Sequence, residues 1–361
     1  MLHVALIAHN HFPIREPFAG GIEAHVWHLT RALVGGGHAV TLFAAENSDL
    51  ALSHPALTVR TLPRTAAASV PFPLPGAVKE SHHQAFAELM AELAEPGNGF
   101  DVVHNHSLNY VPLLSAPRLR TPMLTTLHTP PFPMLEAAVG AVAKSGARFA
   151  AVSRQSAASW KHVGIRRMAL VPNGVDTSRW PLGPGGDDLV WSGRIVAEKA
   201  PHLAVEAAMR SGRSLVLAGP VGNPDYFRRS IEPRLGDRIT YVGHLGQRDL
   251  AALVGNAAAT LVTPAWEEPY GQVVVESMAC GTPVVAFASG GIPELVDDRG
   301  GRVVPPKDVD ALVTAITEAV QLPRKVVRET AVARHGLPRM VADYVALYRR
   351  MVVESAYRAA A

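Results

Sequence analysis

Short, mainly apolar runs end in loops bearing glycine or proline, and each is followed by apolar residues at helical spacing. Val4 to Ala8 is the first such run. After a loop, Ile22, Val26, Leu29 and Leu33 fall on one helical face, Gly35-Gly36-Gly37 ends that helix, and Ala39 to Ala44 is the next run. A run without polar alternation suits a strand buried on both faces, and strands joined through a helix lie parallel. Runs at Phe100 to Val103, Met123 to Leu127, Phe149 to Val152 and Ala169 to Val171 continue the series. A cluster of chain breakers, Pro181-Leu182-Gly183-Pro184-Gly185-Gly186, reads as a linker. The pattern then resumes at Leu189 to Ser192, Ser214 to Ala218, Ile239 to Val242, Thr260 to Thr263, Val284 to Phe287 and Arg302 to Val304. Two such series predict an α/β protein with two Rossmann-like, doubly wound domains, residues 1–180 and 187–335. Their ligands belong outside the carboxyl ends of the strands, which are expected to face an interdomain cleft. A last helix, about 341–357, follows the break at Gly336-Leu337-Pro338. Residues 62–76, rich in proline and alanine, read as an irregular loop.

Bulk properties narrow the function. At 361 residues, with 48% hydrophobic and 18% charged, the chain holds enough apolar material for two cores. A net charge of +3 gives no field for wrapping nucleic acid. Cys280 is the single cysteine, which excludes an internal disulfide and a thiolate zinc site. No signal peptide or apolar run of membrane length is evident, so a cytoplasmic protein is expected. Peripheral membrane association and oligomeric state are unread.

The most specific stretch runs from Thr263 to Pro283 and includes Glu268, Tyr270, Gly271, Gln272 and Glu276. It follows a strand and opens a helix near Gly271. Such a helix start aims free amides and a positive dipole end at a diphosphate or at sugar hydroxyls. Glu268 stands at that entrance. Glu276 lies in the second turn, where its carboxylate can accept two hydrogen bonds from a ribose diol. Arg194 and Lys199 follow the first strand of the second series. A planar guanidinium and a point-charge ammonium together can hold a leaving diphosphate. Only six of the 34 basic residues are lysines, so Lys199 is not the background choice.

In the first series Gly20-Gly21 joins a strand-end loop to a helix, although no G-x-G-x-x-G fingerprint accompanies it. His9, His11, His104, His106 and His128 sit at predicted strand ends. His9, His104 and His106 are read as structural or exposed, whereas His128 heads the stiff Thr129-Pro130-Pro131-Phe132-Pro133 loop and is the histidine expected to face a ligand. No H-x-x-x-H helix or Asp-x-Asp triplet offers a metal site, and no metal or cofactor is expected.

With Arg194 and Lys199 ahead of the Glu268–Glu276 segment, the sequence resembles family 4 of the retaining glycosyltransferases (GT4). The likeness includes Gly20-Gly21-Ile22-Glu23, Asp101-Val102-Val103-His104-Asn105-His106, Thr126-Leu127-His128, Val171-Pro172-Asn173-Gly174-Val175-Asp176 and Gly290-Gly291-Ile292-Pro293-Glu294. The resemblance implies a GT-B fold with an acceptor-side first domain, a nucleotide-sugar-binding second domain, and a final helix, 336–361, crossing back to the first. It implies a metal-independent hexosyltransferase that retains anomeric configuration, taking a UDP- or GDP-sugar to a hydroxyl acceptor that is a small molecule, a glycan or a lipid-linked group. By position, Glu276 would hold the ribose and Glu268 the donor sugar. Tyr270, Gly271 and Gln272 would offer backbone amides near the sugar and phosphate. Arg194 and Lys199 would clamp the diphosphate, His244 and Leu245 flank the base, Gly21 meet the diphosphate, and His128 lie beside the sugar. Rival readings are an epimerase or phosphorylase of the same fold, a glycoside hydrolase using Glu268 and Glu276, and a non-catalytic sugar-nucleotide sensor. The loops expected to meet the acceptor, 62–80 and 129–146, carry no readable code.

Overall fold

The computed structural model describes residues 1–62, 76–166 and 168–360. They form two compact units. One comprises Met1–Glu16, Gly21–Val171 and Met340–Ala361, the other Pro17–Gly20 and Pro172–Arg339.

The first unit is built on a seven-stranded sheet of β1 (His3–Ile7), β2 (Ala39–Ala45), β3 (Leu57–Leu62), β4 (Val102–Asn105), β5 (Met123–Leu127), β6 (Arg148–Ala151) and β7 (Met168–Leu170). Its order is β3-β2-β1-β4-β5-β6-β7, parallel throughout. The order reverses between β1 and β4, the position where open α/β sheets leave room for a ligand. Ala5, Ile7, Phe43, Phe86, Leu89 and Val103 fill one core, and Leu113, Leu127, Leu135, Val139, Phe149 and Trp160 another.

The second unit has six parallel strands, β8 (Leu189–Ser192), β9 (Leu215–Ala218), β10 (Ile239–Tyr241), β11 (Ala259–Val262), β12 (Val284–Phe287) and β13 (Gly301–Val304). They lie in the order β10-β9-β8-β11-β12-β13, so this sheet reverses between β8 and β11. Leu189, Trp191, Leu215, Leu217, Leu261 and Phe287 of its strands pack on Val205, Leu312 and Ile316 of its helices.

Several expectations change. β3 gave no apolar run because it is an edge strand: Thr58 to Thr61 are exposed and only Leu62 is buried. Of the two loops assigned to the acceptor, 129–146 holds the helix Pro133–Val142, with Leu135, Ala138, Val139 and Val142 buried. In the other, a helix begins at Gly76, while residues 63–75, most of the proline-rich stretch, lie outside the described residues. The turn at 181–186 is packed within the second unit. Gly183 N donates to Cys280 O and Gly185 N to Gly255 O, both at 3.0 Å, and Arg324 Nε reaches Gly183 O at 3.1 Å. The final helix is longer than its apolar pattern, Leu337–Ala360. Pro338 fits in its first turn, where a missing N–H breaks no helical bond.

Candidate active site

The loops leaving β8 and β11, the two strands at the reversal of the second sheet, carry the groups with anion and hydroxyl chemistry. Arg194 follows β8 and is exposed, with no ion pair among the described residues. Its stem lies over Gly222, where a Cβ would come within 2.6 Å of Arg194 Cγ, so a larger residue there would displace the guanidinium. Lys199, five residues on, forms an ion pair with Glu268 Oε2. Trp266 Nε1 donates to the same oxygen at 3.0 Å, and the Lys199 ammonium lies 5.0 Å from the centre of the Trp266 ring. The two loops are also tied through the backbone, by Ala265 N donating to Glu198 O at 2.8 Å and Thr263 Oγ1 to Ala200 O at 3.0 Å.

Glu268 is held by its main chain as well. Gly291 N donates to Glu268 O at 2.7 Å, and Gly290, at φ +57°, passes so close that a Cβ would lie 1.9 Å from that oxygen. The Gly290-Gly291 pair is thus a support for Glu268, a role its sequence did not announce.

The helix Gln272–Ala279 begins immediately after Gly271. Glu276, half-buried in its second turn, has its carboxyl pushed up to about 7 by burial, with the Gln272 side chain pulling weakly the other way. Beneath it Ser277 Oγ and Thr260 Oγ1 lie 2.6 Å apart and fasten the helix to β11. The Tyr270 side chain turns inward, is 3% exposed, and donates to Asn173 O at 2.7 Å. Gln272 Nε2 donates to Gly174 O at 3.2 Å. Their side chains therefore fix the Asn173-Gly174 segment. His244 is exposed with Nε2 3.0 Å from Phe18 O, so that nitrogen carries the proton, and Leu245 is half-buried.

In the first unit, Gly21 opens the helix Gly21–Gly35 just after Gly20. His9 Nε2 pairs with Glu23 Oε1 at 2.6 Å while its Nδ1 accepts the amides of His11 and Phe12. His104 and His106 carry the reading of structural or exposed residues, and the structure shows the buried form of it. Both are fully buried and joined to His128: His106 Nδ1 lies 2.9 Å from His128 Nε2, and His106 Nε2 lies 3.1 Å from His104 Nδ1. His25, on the first helix, stacks edgewise against His128 at 4.9 Å. One nitrogen each from His25, His106 and His128 falls within 4.8 Å of the others. Burial, and the other histidines, hold His104, His106 and His128 well below the usual imidazole value, so all three are neutral at pH 7. Alternation along β4 and β5 hid the cluster: His104 and Thr126 are strand residues, while His106 and His128 lie just beyond the strand ends. Trp160 Nε1 donates to Thr129 O at 2.9 Å and ties down the loop after His128.

No described helix is long and apolar enough to cross a membrane. Residues 19–179 match the family model described as Glycosyltransferase Family 4, and residues 177–334 match Glycosyl transferases group 1. Glycogen synthase of Mycobacterium tuberculosis is 27% identical over 375 residues, spanning 88% of this chain and 86% of that one. Among solved structures, sucrose-phosphate synthase from Thermosynechococcus elongatus superposes with a TM-score of 0.81 at 22% identity, covering 98% of this chain and 100% of that one. HepE of Anabaena, solved in complex with UDP-glucose, superposes with a TM-score of 0.75 at 18% identity over 96% and 100%. Two family models that together run from residue 19 to 334, on two parallel-sheet units of the GT-B kind, place the chain in the family 4 glycosyltransferases.

Proposed function

We propose that the second unit binds a nucleoside-diphosphate sugar, with UDP-sugars favoured, and that the enzyme transfers the hexosyl group to a hydroxyl acceptor with retention of anomeric configuration and without a metal ion. The observation that carries this reading is the placement of Arg194, Lys199 and Glu268 on the two loops that leave the reversing strands, with Glu276 on the helix that follows. That is where a doubly wound sheet receives its ligand. UDP is favoured because HepE was solved with UDP-glucose.

In this reading Glu276 accepts two hydroxyl hydrogens of the ribose, which favours its ionised form. The amides at Gly271 and Gln272 and the helix dipole meet the diphosphate. Lys199 leaves Glu268 and joins Arg194 on the diphosphate, so that the charge developing on the leaving group is met by two cations. Glu268, released, accepts hydrogen bonds from hydroxyls of the donor sugar. His128 is neutral and assigned to the donor sugar, Gly20-Gly21 to the diphosphate, and His244 with Leu245 to the base. The acceptor oxygen attacks from the face the diphosphate leaves, its proton passing to a phosphate oxygen of the departing group.

The test is thermal unfolding of EDTA-treated protein with UDP-, GDP-, ADP- and TDP-glucose. Ligand bound to the folded state alone raises the midpoint, by about 2.7 kcal/mol of stability at a hundredfold excess over Kd. A rise with UDP-glucose that survives EDTA supports the reading, and no rise with any of the four sinks it. Anomeric outcome is read by proton NMR of the first product formed.

A further inference from the structure

His128 is the end of a chain of buried hydrogen bonds that reaches the C-terminal helix. His104 Nε2 lies 2.8 Å from Thr126 Oγ1, and His104 Nδ1 lies 2.5 Å from the hydroxyl of Tyr348. From His104 the chain runs through His106 to His128 Nε2. Both ring nitrogens of His104 and of His106 are engaged, so the position of one proton dictates the others.

The order follows from Tyr348. Its phenol is wholly buried, and His104 Nδ1 is the one hydrogen-bond partner of its hydroxyl among the described residues, so the O–H donates there rather than stand unsatisfied in the core. His104 therefore carries its own proton on Nε2, toward Thr126. Two lone pairs facing each other at 3.1 Å would repel, so His106 must present N–H to His104 and keeps its lone pair on Nδ1. That lone pair accepts from His128, whose proton is thereby placed on Nε2. Nδ1 of His128 makes no hydrogen bond among the described residues and is left as an acceptor.

A metal ion shared by His25, His106 and His128 is the competing use of these rings. Metal–nitrogen bonds of about 2.05 Å in a tetrahedral site set the ligand nitrogens about 3.3 Å apart. The 2.9 Å between His106 and His128 is instead the length of an N–H···N bond.

We propose that Tyr348, His104 and His106 are positioning residues that fix His128 as its Nε2–H tautomer, so that Nδ1 presents a lone pair to a hydroxyl of the donor sugar. The proposal rests on the assignment of His128 to that sugar and adds what sets its hydrogen-bonding sense. A hydroxyl that donates to Nδ1 is favoured there, and a deoxy position is rejected because the nitrogen loses its partner.

The test is a two-bond proton–nitrogen NMR correlation on protein labelled with ¹⁵N-histidine at pH 7.5, with His128→Ala used to assign the ring. Wild-type His128 is expected to show a protonated Nε2 and an unprotonated Nδ1. Tyr348→Phe, or Thr126→Val acting from the other side of His104 should the first fail to fold, is expected to give His128 a mixture of tautomers. UDP release from UDP-glucose should then fall about tenfold in kcat with KM little changed, as when a partner that orients an imidazole is lost. A wild-type proton on Nδ1, or an unchanged His128 tautomer in a folded variant, overturns the proposal. If His128→Ala releases UDP as fast as wild type, the sugar assignment falls, while the spectra still decide the tautomer independently.

Discussion

Lys199 and Glu268, 69 residues apart in sequence, form an ion pair, and Trp266 donates to the same carboxylate oxygen. Lys199 is thus held by a carboxylate, and in the proposed reading a diphosphate must compete for it. Lys199→Ala is expected to lower kcat about a hundredfold or more, the scale of losing one charged stabiliser of the leaving group. Partial exposure limits the pair's own worth to about 1 kcal/mol, so the melting temperature should hardly move. Adding Arg194→Ala should abolish transfer. Steady-state UDP release and calorimetry on the same preparations check both halves.

Glu276 makes stability and donor binding respond to pH in opposite directions. Its carboxyl is raised from an ordinary 4.5 to about 7 in the folded chain. Between those values the folded state holds more protons than the unfolded one, so the contribution of Glu276 to stability is greatest below pH 4.5 and falls as pH rises toward 7, by about 3 kcal/mol at most. Above pH 7 the contribution is constant. Glu276→Gln should flatten that slope in the unfolding midpoint measured from pH 5 to 8. In the proposed reading donor binding calls for the ionised carboxylate, so wild-type Kd for UDP-glucose should tighten over pH 6 to 8 with release of a proton. Titration calorimetry in buffers of different ionisation enthalpy measures that proton.

Gly290→Ala should damage a residue it does not covalently neighbour. Its Cβ would meet the Glu268 carbonyl at 1.9 Å, from a backbone of positive φ that favours glycine. A loss of about 2 kcal/mol or more in stability is expected, with weakened UDP-glucose binding, because the backbone carrying Glu268 must move away. Chemical denaturation and a donor titration together check it. Binding equal to wild type would show that the close approach is irrelevant to the carboxylate.

Arg324 offers the contrasting case of a charged residue whose work is architectural. Its guanidinium donates to the carbonyls of Ala257, Gly255 and Cys280 and to Thr282 Oγ1, at 2.7 to 3.1 Å, and its Nε to Gly183. Lysine cannot reproduce five donors in a planar fork. Arg324→Lys is expected to cost about 2 to 4 kcal/mol through orphaned buried carbonyls, with kcat at low temperature unchanged.

Most of the fold was legible because parallel strands covered on both faces are largely apolar, and β9 and β12 wholly so. β3 escaped because it lies at an edge and shows water four of its six residues. The groups on the loops after β8 and β11 were legible as a motif, since their chemistry depends on residues close together in sequence. The Lys199–Glu268 pair, the support from Gly290, and the His104–Tyr348 contact were not. Each joins residues between 22 and 244 positions apart, and only the sheet order brings them together. The histidine network was hidden for a further reason. An imidazole in a strand looks like an exposed polar residue until a hydroxyl from a distant helix is known to satisfy it.

Tyr344 and Tyr348 belong to the first unit, yet all of Pro172–Arg339 lies between them and the rest of it. On the ribosome, the sheet β1 to β7 emerges long before the residues that cap its buried histidines. His104 and His106 must wait, solvated or transiently mispaired, while the entire second unit is made. The second unit, nearly continuous in sequence, has no such delay. Maturation of the nascent chain is therefore expected to run against the order of synthesis, with the later-made unit completed first and the N-terminal one sealed last.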